Sequence, residues 1–219
     1  MDGQNFEVSQ MKINYFLEKS PGKTCVALGY FDGVHLGHQA VIKKTVEKSL
    51  STHAIPSVFT FSQNPKSIIK NVAIKNILTQ TQKEKLLCDI GIKLLYCADF
   101  SKIMNLSPSE FVEKILVEIL QAKYVFCGFN FRFGKNASAN ANDLIEICKK
   151  YDIESYVIKP VKINGTIVSS SQIREYMING EAEKADILLG KNKWGLPLRI
   201  ASFYILTNRH NLSLYSGVA

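Results

Sequence analysis

What most constrains the fold of this chain is an alternation. Short apolar runs rich in β-formers, Cys25–Leu28, Ser57–Phe61, Lys93–Cys97, Tyr124–Cys127 and Glu154–Ile158, are separated by stretches with helical periodicity. Strands that take turns with helices are joined by crossovers, and crossovers link parallel neighbours. The pattern predicts an α/β chain with a mostly parallel sheet of roughly five to six strands and helices on both faces. Helices are expected from Gln39 to about Leu50, over Thr79–Ile90 with Gly91 as its stop, over Ser107–Leu120 and over Asn142–Lys150. Ser107–Leu120 is the clearest: Ser107 suits an N-cap, Pro108 the first helical position, and Glu110 completes a capping box. Phe111, Ile115 and Ile119, with Leu116 beside them, form its expected buried stripe. After Pro160 the pattern changes. Val161–Ile163 and Thr166–Val168 flank Asn164-Gly165, a hairpin signal. Two short helices follow, Gln172–Ile178 closed by Asn179-Gly180 and Glu181–Leu189 ended by Gly190.

The densest chemistry lies where the first strand turns into a helix, in Gly29-Tyr30-Phe31-Asp32-Gly33-Val34-His35-Leu36-Gly37-His38. Asp32-Gly33 is a turn pair in which Gly33 allows a positive φ. Gly37 lacks a β-carbon, so a ligand or another backbone can lie against it. A helix beginning near Gly37 would aim its free N–H groups and its positive end at the turn, where an anion is favoured. His35 and His38 are three residues apart and share one helix face, so both can reach a single phosphoryl group, as hydrogen-bond donors or as cations. A second anion nest is Ser169-Ser170-Ser171-Gln172-Ile173-Arg174. Hydroxyls and amides gather at a helix start, and Arg174, one turn in, can bring its guanidinium fork back to the same anion. A third segment, Gly128-Phe129-Asn130-Phe131-Arg132-Phe133-Gly134, sets the polar Asn130 at the carboxyl end of a strand, where ligands of open α/β sheets bind. Its alternating phenylalanines are read as one apolar face of an extended segment.

Composition narrows the partners. The chain has 219 residues, 46% of them hydrophobic, and a net charge of +8, which suits anionic ligands. Its lysines are spread rather than blocked and carry no aromatic-basic signature, so no specific nucleic-acid partner is expected. The five cysteines, Cys25, Cys88, Cys97, Cys127 and Cys148, lie in apolar runs without a C-x-x-C pair, as buried reduced thiols of a cytoplasmic protein do. No third ligand stands near the two motif histidines in sequence, so no protein-held metal is expected, and His53 and His210 read as incidental. Met1–Ser20 has no signal-peptide core, and no stretch is long and apolar enough to span a membrane. Gly22-Lys23-Thr24 ends like a P-loop, but Leu17 stands where its first glycine belongs and the strand follows instead of preceding it. Nothing bears on the oligomeric state.

The stretch G-x-F-D-G-V-H-x-G-H, from Gly29 to His38, resembles the adenylyltransferase module of bacterial FAD synthetases, the bifunctional riboflavin kinase/FMN adenylyltransferase family. The shorter H-x-G-H core is shared with the wider nucleotidylyltransferase superfamily. Val168 to Arg174 resembles that superfamily's I-S-S-[ST]-x-I-R signature, with valine for the leading isoleucine, and Gly128 to Gly134 resembles G-x-[DN]-[FY]-x-F-G. Thr60-Phe61-Ser62-Gln63-Asn64-Pro65 corresponds to the family's T-F-x-P-H-P, with Asn64 in place of histidine and Gln63 in place of proline. In the loop after Gly134 a glycine is usual where Ala139 stands; a positive φ there would strain Ala139 by roughly 1 kcal/mol. The likeness runs from about Val26 to Gly190. It implies a Rossmann-like nucleotidylyltransferase fold over residues 1–191 and a divergent tail over 192–219. The family's riboflavin kinase barrel, with its G-[RK]-x-[LI]-G-[FY]-P-T-A-N motif, finds no match in the chain.

The resemblance implies AMP transfer from ATP to FMN, giving FAD and pyrophosphate, with Mg²⁺ on the phosphates. His35 and His38 would bind the α-phosphate. Ser169, Ser170, Ser171 and Arg174 would hold the leaving pyrophosphate, and Asn130 would align a phosphate of ATP or FMN. Gly29, Tyr30, Phe31 and Asp32 would line the adenosine pocket with Gly37 close by, while Asp32 is read equally as a lock on the turn. Phe61, Asn64, Pro65, Asn130, Phe131 and Phe133 would form the flavin side. Two rivals stay open: a nucleotidylyltransferase for another phosphate acceptor, and a truncated, non-catalytic flavin- or nucleotide-binding protein.

Overall fold

The computed structural model describes residues 11–190. The tail read as divergent, 192–219, and His210 lie outside the described residues. In chain order the elements are β1 (Lys12–Asn14), β2 (Thr24–Leu28), α1 (Leu36–Thr52), β3 (Ile55–Phe61), α2 (Pro65–Lys70), α3 (Gln80–Ile90), β4 (Leu94–Ala98) and α4 (Phe100–Ile103). There follow α5 (Pro108–Glu110), continued as a π-helix over Phe111–Ile119, β5 (Ala122–Gly128), the short pair β6 (Arg132–Phe133) and β7 (Ala139–Asn140), and α6 (Ala141–Lys149). Next come β8 (Glu154–Ile158), the hairpin β9 (Lys162–Ile163) and β10 (Thr166–Ile167), and the helices α7 (Ser170–Ile178) and α8 (Ala182–Leu189).

Six strands form the main sheet in the order β1-β4-β3-β2-β5-β8. Every neighbouring pair in it is parallel. From β2 the chain builds outwards through β3 to β4, then returns to lay β5 on the other side of β2. The strand order therefore reverses between β2 and β5, and the crevice beyond their carboxyl ends is where a ligand of such a sheet binds. The turn Gly29–His35 leaves β2 and the segment Phe129–Gly134 leaves β5, so this topology brings two of the sequence motifs to one crevice.

Each face of the sheet has its own core. Val41 and Ile42 of α1 and Leu87 of α3 pack with Cys25, Ala27, Val58 and Leu95. On the other face Phe111, Ile115 and Leu116 join Leu144 and Cys148 of α6 against Val26, Phe59, Tyr96 and Val125. Alternation along β2 explains both: Cys25 and Ala27 point one way, Val26 and Leu28 the other. A third cluster ties α7 to α8 through Ile173, Met177, Ala185, Leu188 and Leu189, with Ile77 from the loop before α3.

The sequence-based elements need amendment: the short α2, α4, β6 and β7 are not among the expected ones, and other changes bear on the sheet and the site. The strand β1, inside a segment read only as polar and mixed in charge, extends the sheet beside β4. The helix expected over Ser107–Leu120 has its capping box, Ser107 with Glu110, but it widens after one turn. With π-type bonding from Leu120 N–H to Ile115 C=O, Leu120 is fully buried and Ile119 only partly. The segment after β5 is not one extended run. It turns at once, with Phe131 N–H donating to Gly128 C=O, so Phe129 is exposed while Phe131 stacks on the buried Phe133. Ala139 is extended in β7; the left-handed positions of that loop are Asn136 and Ala137, so the strain expected at Ala139 does not arise. The hairpin turns as its Asn-Gly pair predicts, with φ of 49° at Asn164 and 81° at Gly165.

Candidate active site

The turn after β2 is held in an unusual shape. Gly33 has φ of 85°, but Phe31 at 56° and Val34 at 42° are left-handed as well. Side chains pay about 1–3 kcal/mol for that conformation, so the surroundings must enforce it. They do so by burial, for Phe31 and Val34 lie in the core. Gly29 makes room for the Phe31 ring, since a Cβ there would stand 2.9 Å from it.

His35 closes the turn and caps α1. Its Nδ1 accepts the His38 backbone N–H at 3.3 Å. Because Nδ1 accepts, the neutral ring carries its proton on Nε2, which is left as a donor. The two imidazoles stack with centroids 3.6 Å apart, and Phe31 meets His38 edge-on at 5.2 Å. Gly37 is what admits this stack: a Cβ there would lie 3.1 Å from the His35 ring and 3.5 Å from the Val168 carbonyl. Burial pulls the His35 pKa down to about 4. It also holds His38 well below the usual histidine range, with His35 adding to the effect. Both rings are therefore neutral donors near pH 7 rather than the cations that the sequence left open. The Nδ1 of His38 is shielded from solvent and has no hydrogen-bond partner among the described residues.

The serine-arginine segment meets this turn directly. Ser170 Oγ donates to the Asp32 carbonyl at 2.9 Å across 138 residues of sequence. Arg174 and Asp32 form a buried ion pair, and Arg174 Nε also donates to the Lys75 carbonyl at 3.3 Å. Asp32 Oδ1 accepts from Ile77 N–H at 2.8 Å. Burial pushes the Asp32 carboxyl up, while the guanidinium and the backbone N–H oppose that shift. Gln39, buried in the first turns of α1, donates to the carbonyls of Val34 and Leu189 at 3.0 and 2.9 Å and so anchors the end of α8. The Asp32 side chain thus locks the turn, and Arg174 is engaged by it rather than lying free over the serines. Ser169 caps α7 by accepting from Gln172 N–H, and Ser171 is exposed.

On the other strands the groups are looser. Asn130 is exposed beyond β5, and Phe133 packs against Phe111 of the π-helix. Beyond β3, Asn64 caps α2, its Oδ1 accepting from Lys66 N–H at 3.0 Å, and Pro65 takes the first helical position. The Asn64 amide nitrogen remains to donate. Phe61 packs edge-on against Phe59 and Phe100. A cavity of about 440 Å³ opens here, lined by Ser62, Gln63, Asn64, Ser67 and the stretch from Ala73 to Asn76. Sequence reasoning passed over Gln39 and also Lys83, a buried lysine of α3. The available signal for Lys83 was its position four residues before the core residue Leu87, on the same helix face. Among the described residues no three His, Cys, Asp or Glu groups gather as a metal site, and no helix is long and apolar enough to cross a membrane.

Fold and site together define an α/β protein whose switch-point crevice presents neutral imidazoles, a helix N-terminus and a buried arginine, the equipment of a phosphate-handling site. Residues 17–172 match the FAD synthetase family, and the chain belongs to that family. It is 33% identical over 168 residues to the bifunctional riboflavin kinase/FMN adenylyltransferase of Listeria monocytogenes, covering 75% of this chain and 53% of that protein. A FAD synthetase of the same organism is 30% identical over 75% of this chain and 68% of its own length. The chain thus spans about half of the first relative and two thirds of the second. In three dimensions it resembles a Streptococcus pneumoniae protein described as a macrolide-efflux protein, with a TM-score of 0.70, 28% identity, and coverage of 82% of this chain and 59% of that one.

Proposed function

We propose that the chain transfers AMP from ATP to FMN, forming FAD and releasing pyrophosphate, and that the span up to about residue 191 is the catalytic unit. The observation that carries this reading is the meeting of two distant segments: Ser170 bonds the Asp32 carbonyl and Arg174 pairs with the Asp32 carboxylate, 142 residues away, beside the His35–His38 stack. A triphosphate laid across that junction has its α-phosphate at the imidazoles and its outer phosphates at the start of α7.

The terminal phosphate oxygen of FMN attacks the α-phosphorus in line; the new P–O bond forms as the bond to pyrophosphate breaks. FMN phosphate is already anionic near pH 7, so no strong base is required, and catalysis rests on alignment and charge stabilisation. His35 and His38 donate to the α-phosphate oxygens as charge shifts on them. The hydroxyls of Ser169 and Ser171 and the free N–H groups of α7 receive the departing pyrophosphate; Ser170 joins them by turning its hydroxyl from the Asp32 carbonyl, and Arg174, held in place by Asp32, offers its remaining guanidinium N–H groups. ATP enters as its Mg²⁺ complex, and the ion belongs to the substrate: Asp32, the buried carboxylate of the same turn as the histidines, is already paired. The backbone from Gly29 to Asp32 lines the adenosine side. Phe61, Asn64, Pro65, Asn130, Phe131 and Phe133 border the flavin side, next to the cavity beyond β3.

The test is direct. Purified chain is incubated with MgATP and either FMN or riboflavin, and the flavins are separated by chromatography. FAD from FMN, with pyrophosphate in equal amount, is the expected result. Riboflavin lacks the attacking phosphate and should give no dinucleotide. Transfer of AMP to another phosphate monoester but not to FMN would overturn the reading.

A further inference from the structure

We propose that Lys83 is a substrate-binding residue whose ammonium holds the phosphate monoester of the acceptor, FMN; this rests on the adenylyl-transfer reading above. Lys83 is 5% exposed, although lysine normally extends its stem to keep the charged end in water. Its Nζ lies between the carboxyl ends of the two central strands. It is 3.5 Å from the carbonyl of Phe61, the last residue of β3, and 4.9 Å from the ring centroid of Tyr30, just after β2. The Tyr30 hydroxyl in turn donates to Asn76 Oδ1 at 2.8 Å. Asn76, with Ser62 and Asn64, lines the cavity beyond β3. Contacts therefore run unbroken from the ammonium to that cavity.

The bonding of Lys83 is incomplete. An ammonium has three donors, and a single carbonyl at 3.5 Å is a long, weak acceptor. Among the described residues no carboxylate lies at ion-pair distance from it. A buried charge left in that condition is costly. Burial lowers its pKa, with Asp32 among the groups opposing the shift, and Lys83 in turn helps depress His38, so the three share one electrostatic neighbourhood. An anion entering the crevice would fill the idle donors and remove the penalty.

In-line chemistry assigns the anion. The imidazoles face the α-phosphate and the start of α7 takes the leaving pyrophosphate, so the nucleophile must arrive from the side away from α7. A phosphate monoester approaching a triphosphate needs a cation of its own. Lys83, joined through Tyr30 and Asn76 to the flavin-side cavity, is the buried cation beside that path.

Lys83→Met keeps the stem and removes the charge. FMN and riboflavin binding are followed by quenching of flavin fluorescence, ATP binding by calorimetry, and folding by thermal melting. FMN affinity should fall about tenfold to a hundredfold while riboflavin, which has no phosphate, binds as before. ATP affinity should change by about twofold at most, whereas breaking a charge-assisted contact costs more. Lys83→Arg should recover part of the FMN-to-riboflavin preference. If Lys83→Met does not fold, Lys83→Gln serves in the same assays. Equal weakening of both flavins, unchanged FMN affinity, or a loss confined to ATP would each overturn the assignment. The two readings fail separately: a native chain that makes no FAD sinks the function, whereas FAD synthesis with undiminished FMN affinity in Lys83→Met sinks the role of Lys83 alone.

Discussion

The two sides of the crevice are built to opposite rules. On the side proposed for the nucleotide Asp32, His35, Gln39 and Arg174 are buried, and segments far apart in sequence are bonded to one another. On the side proposed for the flavin Asn130 and Phe129 are exposed, and Ser62 to Asn76 frames an open cavity. The difference fits the proposed division of labour. Groups that must meet the α-phosphate in one geometry gain from a rigid shell, whereas the acceptor side must admit a bulky isoalloxazine and release it inside a larger product.

The comparison breaks first at its strongest link. Asp32→Asn leaves Arg174 buried beside a neutral amide and should cost about 3–5 kcal/mol, read as a lowered midpoint in denaturant unfolding. Adding Arg174→Met to that variant should restore much of the loss of stability but not of activity, because the apolar replacement no longer strands a charge. Wild-type stability in Asp32→Asn would show that the rigid side is not held by this pair.

Next is His38→Ala. If the imidazole acts on charge that develops in the transition state, kcat should fall about 10²–10³-fold while the Kd for ATP changes little. An unchanged kcat removes His38 from the chemistry.

A pH titration of stability sharpens the contrast further. Burial takes His35 from 6.5 to about 4 in the fold. Between those values the unfolded chain binds a proton that the native state refuses. Stability should therefore be complete above pH 6.5, fall as the pH drops towards 4, and lose on the order of 3 kcal/mol from this group by the lower limit. His38 acts in the same direction. The slope should flatten in His35→Gln, measured as Tm against pH; an equally steep slope there would place the titrating group elsewhere.

The smallest effect is expected on the loose side. Asn64→Ala removes the cap of the short helix α2 and should cost about 1 kcal/mol or less, with the KM for FMN rising more than the KM for ATP. Equal changes in both constants would mean that this edge of the cavity does not discriminate between the substrates.

Much of this molecule is legible in its residues because the controlling interactions are local. The capping box of Ser107 with Glu110, the Asn164-Gly165 turn and the strand–turn–helix at Gly29–His38 each depend on near neighbours in sequence. So does the alternation that sets a parallel sheet. Other features carry no local mark. The strand β1 is three residues long and gains its identity from pairing with β4, 82 positions on in register between Lys12 and Leu94. Left-handed Phe31 and Val34 contradict their own preferences and are imposed by the packing around them. The widened turn in the π-helix, and the folding back of Phe129–Phe133, are likewise settled by what each side chain meets.

The sequence alone determined that the two histidines, the serine-arginine segment and Asn130 stand at strand and helix ends, since periodicity and turn chemistry act over a few residues; Gln39 and Lys83 it did not mark. Tertiary structure decided how those groups are engaged. It paired Arg174 with Asp32, stacked and neutralised the histidines, and buried the Lys83 ammonium with one long bond to a carbonyl. Each of those outcomes depends on desolvation and on partners brought together from distant parts of the chain, and neither can be computed from neighbours in sequence.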